Sequence, residues 1–297
     1  MTKQRRELKD VPRSVHARLL AFAKEQNRDF GQVLTQYFQE RLLDRVARSP
    51  YSDQFVLKGA LLFLALEQGS TAVRGRPTKD VDFEALKRQP EPDQIRAIVV
   101  EVAALQSDPD DGVTFMTEEI QAERISEDDK YEGVRVRLPA LLGKMQNRIQ
   151  IDVGFGDAIT PKPQRKPFPT LLADYAPPHL LTYPLETVVA EKFEAAIDLA
   201  EANSRMKDFR DLYVLAVTTP FDGAVITQAV ARTFERRGTS LSLGSTVMTD
   251  GFARDAGRQS AWAGYLRKER IDTVPQFIRG SDAGHPGVCG SAVSRSE

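Results

Sequence analysis

Two acidic stretches carry the residues best suited to chemistry. In TKDVDFEA, residues 78–85, the alternation of side chains along a strand puts Asp80 and Asp82 on one face and Val81 and Phe83 on the other. In RIQIDVGFGD, residues 148–157, Ile149, Ile151 and Val153 form an apolar face, and Arg148, Gln150 and Asp152 a polar one. If the two strands are neighbours, Asp152 joins Asp80 and Asp82. Carboxylates facing one point repel and raise one another's proton affinity, so such a group calls for a cation, and hard oxygen ligands select Mg2+ or Mn2+. Three carboxylates on adjacent strands suit a phosphoryl-transfer site, with Asp80, Asp82 and Asp152 as metal ligands and catalytic residues and Asp152 also able to draw a proton from an attacking hydroxyl. Upstream, FVLKGALLF at 55–63 reads as a buried strand entering a glycine turn and a helix. That turn offers the backbone of Gly59 and Ala60, and the charge of Lys58, to phosphate oxygens.

The elements that must position these groups follow from hydrophobic period and turn chemistry. Helical spacing runs from Pro12 through Val15, Leu19, Leu20, Phe22 and Ala23, and again over about 30–46. Beyond the first strand, further strands are expected at 80–84, 113–120, 133–138 and 147–153, with a helix at 93–105. Residues 69–77 read as a loop, in which Arg76 is a further phosphate contact to consider. The proline-rich stretch 160–178 reads as a crossing loop into a helical part, with helices over 184–202, 206–217, 222–236 and 259–268. The expected organisation is α+β: N-terminal helices over 1–50 packed on the core, a catalytic α/β domain over 51–178, a helical domain over 179–279 closing its cleft, and a disordered tail over 280–297.

Composition narrows the classes of function. The chain has 297 residues, with 41% hydrophobic and 28% charged, which is ordinary globular composition. One cysteine and three scattered histidines exclude an internal disulfide and a His/Cys zinc site, so a metal must be held by oxygen. No apolar run is long enough to span a bilayer, and the charged N-terminus lacks a signal-peptide core, so a cytoplasmic protein with no membrane partner is expected. With 41 basic and 42 acidic side chains the net charge is −1, far from a strongly basic nucleic-acid binder. A nucleic-acid substrate would need local patches, for which 161–167, Arg135 with Arg137, and Arg232 with Arg236 and Arg237 are the candidates.

Taken in order, FVLKGALLF, RPTKDVDF at 76–83, IDVGFGD at 151–157, AEKF at 190–193 and SRMKDFRDLY at 204–213 resemble the AbiEii/AbiGii family. These are nucleotidyltransferase toxins of toxin-antitoxin and abortive-infection systems, in the DNA polymerase β-like superfamily. The similarity runs from about Val11 to Pro275. It implies a polymerase β-like nucleotidyltransferase core, a mixed sheet flanked by helices. It also implies transfer of a nucleotide from an NTP, the 3′ end of tRNA as acceptor, and a cognate antitoxin as partner. By position it assigns the turn to Gly59, the metal carboxylates to Asp80 and Asp82, phosphate binding to Lys192, and a charged block to Arg205, Lys207, Asp208 and Asp211. Ala60 stands where many relatives carry Gly or Ser, and the tail after Gly280 is unlike the family's end.

Helical wheels place Lys192 within the apolar arc of Val188, Val189, Ala196 and Leu199, which suits either a phosphate contact or a salt bridge. On 206–217, Met206, Phe209, Leu212, Tyr213 and Ala216 form the expected inner side. Asp208 sits at its edge as a partner for Lys192 or Arg205, and Asp211 on the polar side four residues from Lys207. Two alternatives remain open on this reading: a small-molecule or protein acceptor, and a non-catalytic relative.

Overall fold

The computed structural model describes residues 10–66, 78–127, 131–200, 204–241, 245–269, 271 and 274–275. Arg76, the expected loop at 69–77 and the tail beyond 280 lie outside the described residues. The chain forms two compact units. One takes in the described residues up to Leu66, from 78 to 156 and from 164 to 182; the other takes in 157–163 and those from Tyr183 onward.

The first unit opens with helices α1 (Val11–Glu25) and α2 (Phe30–Arg48). Asp10 caps α1 by accepting from the Arg13 N–H at 3.0 Å, with Pro12 in the first turn, and Asp29 caps α2 through Gln32 N–H at 2.9 Å. Strand β1 (Phe55–Lys58) turns at Gly59 into the short helix α3 (Leu61–Leu66). There follow β2 (Asp80–Ala85), α4 (Pro92–Ala103), β3 (Val113–Phe115), β4 (Gln121–Glu127), β5 (Tyr131–Leu142), β6 (Met145–Phe155), β7 (Gln164–Pro167) and β8 (His179–Thr182). They make a mixed sheet in the order β3-β5-β6-β2-β1-β8-β7, with β4 also paired to β5. The pairs β2–β6 and β1–β8 are parallel and the rest antiparallel.

One sheet face is apolar. Val81, Phe83, Val134, Val136, Leu138, Ile149, Ile151 and Val153 are buried there, each contributing roughly 1.5–3 kcal/mol of burial. Helices α2 and α4 contact the strands of this sheet, and α4 buries Ile95, Ile98, Val99 and Val102. Alternation leaves the opposite face polar, and Asp80 and Asp82 lie on it.

The structure shortens the expected strand at 113–120 to β3, which ends at Phe115; a 3-10 turn spans Thr117–Glu119, and β4, a strand not expected from the sequence, follows at 121–127; both strands pair with the long β5. The proline-rich stretch at 160–178 read as a crossing loop contains β7, and β8 follows it directly. Pro167 is tolerated because β7 is an exposed strand at the edge of the sheet, where a missing N–H breaks no inner ladder.

The second unit is helical: α5 (Leu185–Leu199), α6 (Met206–Thr218), α7 (Gly223–Arg237), α8 (Asp250–Arg254) and α9 (Ala256–Glu269). Ala190, Phe193 and Ile197 of α5 pack against Ala229, Val230 and Phe234 of α7, with the two phenyl rings 5.6 Å apart. Asp222 caps α7, accepting from Ala224 and Val225 N–H, and Gly238 closes it in the left-handed conformation. Among the described residues, no helix is long and apolar enough to cross a membrane.

Candidate active site

Register brings the expected carboxylates together. Asp82 of β2 lies directly opposite Asp152 of β6, Asp80 opposite Gln150, and on the other side Lys58 of β1 opposite Asp82. Continuing outward, Arg135 of β5 faces Asp152 and Glu123 of β4 faces Arg135. One row across the polar face therefore reads Lys58, Asp82, Asp152, Arg135, Glu123.

Gly59 has a specific reason to be glycine. Its φ is +72°, and a Cβ there would lie 1.9 Å from Asp82 Oδ2. The missing side chain is the space the Asp82 carboxylate occupies, so the turn and the acid are fitted to each other. Gly154 does the same for a neighbouring pair, since a Cβ there would come within 2.8 Å of both Glu84 Oε2 and Lys58 Nζ. Lys58, expected at phosphate, donates to the buried Glu84 at 2.9 Å. Ala60 is buried, 3% exposed, and its carbonyl accepts from Phe63 N–H at 3.2 Å.

Asp152 stands beside Asp82 but is held from the other side. Arg135 donates from Nε to Oδ1 and from Nη2 to Oδ2, both at 2.8 Å, and Gln150 Nε2 donates to Oδ2 at 3.0 Å. The Asp152 hydrogen bonds raise the Arg135 guanidinium above its usual range against the opposing effect of burial, with Asp152, Asp80 and Glu123 adding charge attraction. Among the described residues, no three carboxylates, imidazoles or thiols converge closely enough to hold an ion. The expected triad is thus a pair, Asp80 and Asp82, with a third acid clamped by arginine. A pair suits Mg2+, which dehydrates reluctantly and takes one or two carboxylates, completing its shell with water and substrate phosphate. The residues fit such an ion. Reading Arg135 only as surface charge missed the clamp, because its partner depends on strand register, which composition does not encode.

In the helical unit, Lys192 is 13% exposed, donates to Asp208 at 2.6 Å and forms an ion pair with Asp211 at 3.0 Å. Arg205 Nε bonds Asp208 at 2.6 Å, and the buried Arg210 reaches Asp211 at 3.2 Å. Burial pulls the Lys192 ammonium down, but Asp211 and Asp208 outweigh it and the group stands above its usual range. For Asp208 burial raises the carboxyl, and Lys192 and Arg205 more than offset this, leaving it below its ordinary value. The pairing of Asp208 with Lys192 and Arg205 matches the wheel. Asp211 does not: it is 0% exposed rather than on a solvated side, and Lys207 is the exposed residue. Helix α6 is turned so that Asp208, Arg210 and Asp211 are buried with Met206, Val214 and Leu215, while Tyr213 is 38% exposed. Ion pairing of Asp208 and Asp211 with Lys192, Arg205 and Arg210 offsets the cost of burying these charges.

The family model of the AbiEii nucleotidyl transferase toxin of type IV toxin-antitoxin systems matches residues 41–277. The chain belongs to that family. The match covers both stretches described above, 80–82 in the first unit and 192–211 in the second. No curated protein sequence matches the chain. Among solved structures, JHP933 from Helicobacter pylori is similar at 14% identity and a TM-score of 0.42, over 82% of this chain and 96% of that one. An inferred nucleotidyltransferase from H. pylori is similar at the same identity and TM-score, over 78% and 91%.

Proposed function

We propose that this protein is a metal-dependent nucleotidyltransferase toxin that moves a nucleotide from an NTP to a hydroxyl at the 3′ end of tRNA and so inhibits growth. The observation that carries the reading is the fitted pair of Asp82 and Gly59, with Asp80 two residues away on the same polar face. A carboxylate given room by a positive-φ glycine has a use beyond packing. Mg2+ or Mn2+ held by Asp80 and Asp82 would supply Lewis-acid stabilisation to the phosphoryl oxygens. Asp152 accepts the hydrogen bond of the attacking hydroxyl and orients its oxygen. That oxygen bonds to the α-phosphorus, the bond to the β-phosphate oxygen breaks, pyrophosphate leaves, and the hydroxyl proton passes by way of Asp152 to solvent.

Lys192 is proposed as a phosphate-binding cation. Its ammonium donates to Asp208, is paired with Asp211 and is 13% exposed, so it is held in place while keeping donor capacity for an anion. Arg205 and Lys207 are exposed basic neighbours suited to the same anion, and Asp208 and Asp211 serve as supports that fix Lys192. Type IV toxin membership supports a cognate antitoxin as partner, and the proposed substrates place the action in the cytoplasm.

The test is incubation with labelled ATP, CTP, GTP or UTP, Mg2+ and total RNA, beside the Asp82→Asn protein. We expect label on tRNA from wild type and a loss of at least about 1,000-fold in Asp82→Asn, as for removal of a principal electrostatic stabiliser. Absence of label on RNA with every nucleotide overturns the acceptor. Label on protein or on a small molecule moves the same chemistry to that acceptor.

A further inference from the structure

We infer that Arg135 is a positioning residue that keeps Asp152 out of the cation's ligand set and leaves it a single oxygen for the attacking hydroxyl. The inference rests on the nucleotidyl-transfer reading for its chemistry, but its geometry stands alone. A carboxylate has about four lone-pair directions, two on each oxygen. On Asp152, Oδ2 takes one bond from Arg135 and one from Gln150, whereas Oδ1 takes one, from Arg135. Among the described residues Oδ2 is therefore saturated and Oδ1 retains one acceptor position. A carboxylate in that state cannot chelate through both oxygens, yet it can receive one O–H.

The fork also fixes direction. Bidentate contact with a planar guanidinium sets the carboxylate plane as well as its distance. Asp152 sits between Asp82 on one neighbouring strand and Arg135 on the other, and both hydrogen bonds from Arg135 come from the side away from Asp82. Without the arginine, the two bonds that hold Asp152 from β5 are lost, and the carboxylate is released toward a cation held at Asp80 and Asp82. Gln150, two residues away on the same face, guards Oδ2 in the same sense. Both Arg135 and Asp152 are largely covered, 29% and 20% exposed, so water competes weakly for these bonds.

Binding of Mn2+, followed by its electron paramagnetic resonance signal in the full chain without nucleotide, tests this apart from turnover. Arg135→Ala should bind Mn2+ at least about fivefold more tightly than wild type, because a third carboxylate is released. The double variant Arg135→Ala/Asp152→Asn should return to the wild-type value, and Asp152→Asn alone should stay within about twofold of it. In the transfer assay Arg135→Ala should lose about 100-fold in kcat with little change in KM for the nucleotide, and Arg135→Lys should recover part of that loss. Mn2+ affinity that is unchanged or weaker in Arg135→Ala overturns the inference, as does a weakening of tenfold or more in Asp152→Asn. A melting transition like that of wild type in Arg135→Lys guards against loss of fold as the cause. If wild type labels no acceptor, the functional reading fails while the Mn2+ series still decides the role of Arg135.

Discussion

At the scale of the residue, the site depends on atoms that are missing as much as on those present. Gly59 has a positive φ and lies where any Cβ would fall on the Asp82 carboxylate. Gly59→Ala must therefore adopt a left-handed backbone at about 1–2 kcal/mol and also push Asp82 aside. We expect a lowered melting temperature together with loss of Mn2+ binding; a Gly59→Ala protein that binds Mn2+ like wild type would show that the turn and the acid are independent. Lys192 makes the complementary case in the helical unit. Two buried carboxylates converge on its ammonium, so Lys192→Met leaves Asp208 and Asp211 with only Arg205, Arg210 and their remaining partners. Breaking such a pair from one side costs about 3 kcal/mol, measurable as a fall in the urea midpoint. A substitution that removed turnover and left the midpoint in place would mean that the lysine works on substrate alone.

At the scale of the element, α2 shows what hydrophobic period reveals and what it omits. Val33, Leu34, Tyr37, Phe38 and Leu42 were legible as an inner face, and all are buried. The same helix also buries Gln39, Glu40, Arg41 and Arg45, which no apolar pattern marks. Their partners come from distant segments: Arg45 pairs with Asp111 at 2.7 Å, Leu171 N–H donates to Glu40 at 2.7 Å, and Arg41 stacks 4.3 Å from the Tyr175 ring centre. Long-range pairing of this kind is why α6 read inside out and why the Arg135 clamp stayed hidden, whereas Asp80, Asp82 and Asp152 followed from simple alternation. Glu40 gives the element a pH signature. Burial is the largest cause, and it outweighs Arg41 and the Leu171 bond, raising the carboxyl from 4.5 to about 7. A raised folded value means that stability from this group is fully present below about 4.5 and is lost as pH rises through 7. Glu40→Gln keeps an acceptor for Leu171 N–H and cannot titrate. Relative to it, wild type should lose up to about 3 kcal/mol between acid and mildly alkaline pH. Chemical denaturation of both proteins across that range decides it, and a constant difference would sink the assignment.

At the scale of the whole molecule, charge balance constrains how the proposed RNA acceptor would be captured. With 41 basic and 42 acidic side chains, the protein has no net positive charge to draw a polyanion toward it. Several arginines of the local patches are paired with acids: Arg135 is bound to Asp152, Arg137 to Glu123, Arg165 to Asp53, and Arg237 to Glu194 and Asp157. Each such pair must loosen before its arginine can neutralise a phosphate, so few counterions are released on binding. A protein engaging six to ten phosphates loses roughly 1,000-fold or more in affinity between about 50 and 200 mM salt; engagement of about three gives a loss near 40-fold. We expect the shallower dependence for tRNA binding, read by fluorescence anisotropy with Asp82→Asn so that no product accumulates. A loss of 1,000-fold would reveal a basic surface beyond the paired arginines described above. A shallow slope with transfer intact would mean that the acceptor is selected at the carboxylate site, by the geometry that Arg135 and Asp152 impose on its terminal hydroxyl, and not by charge at a distance.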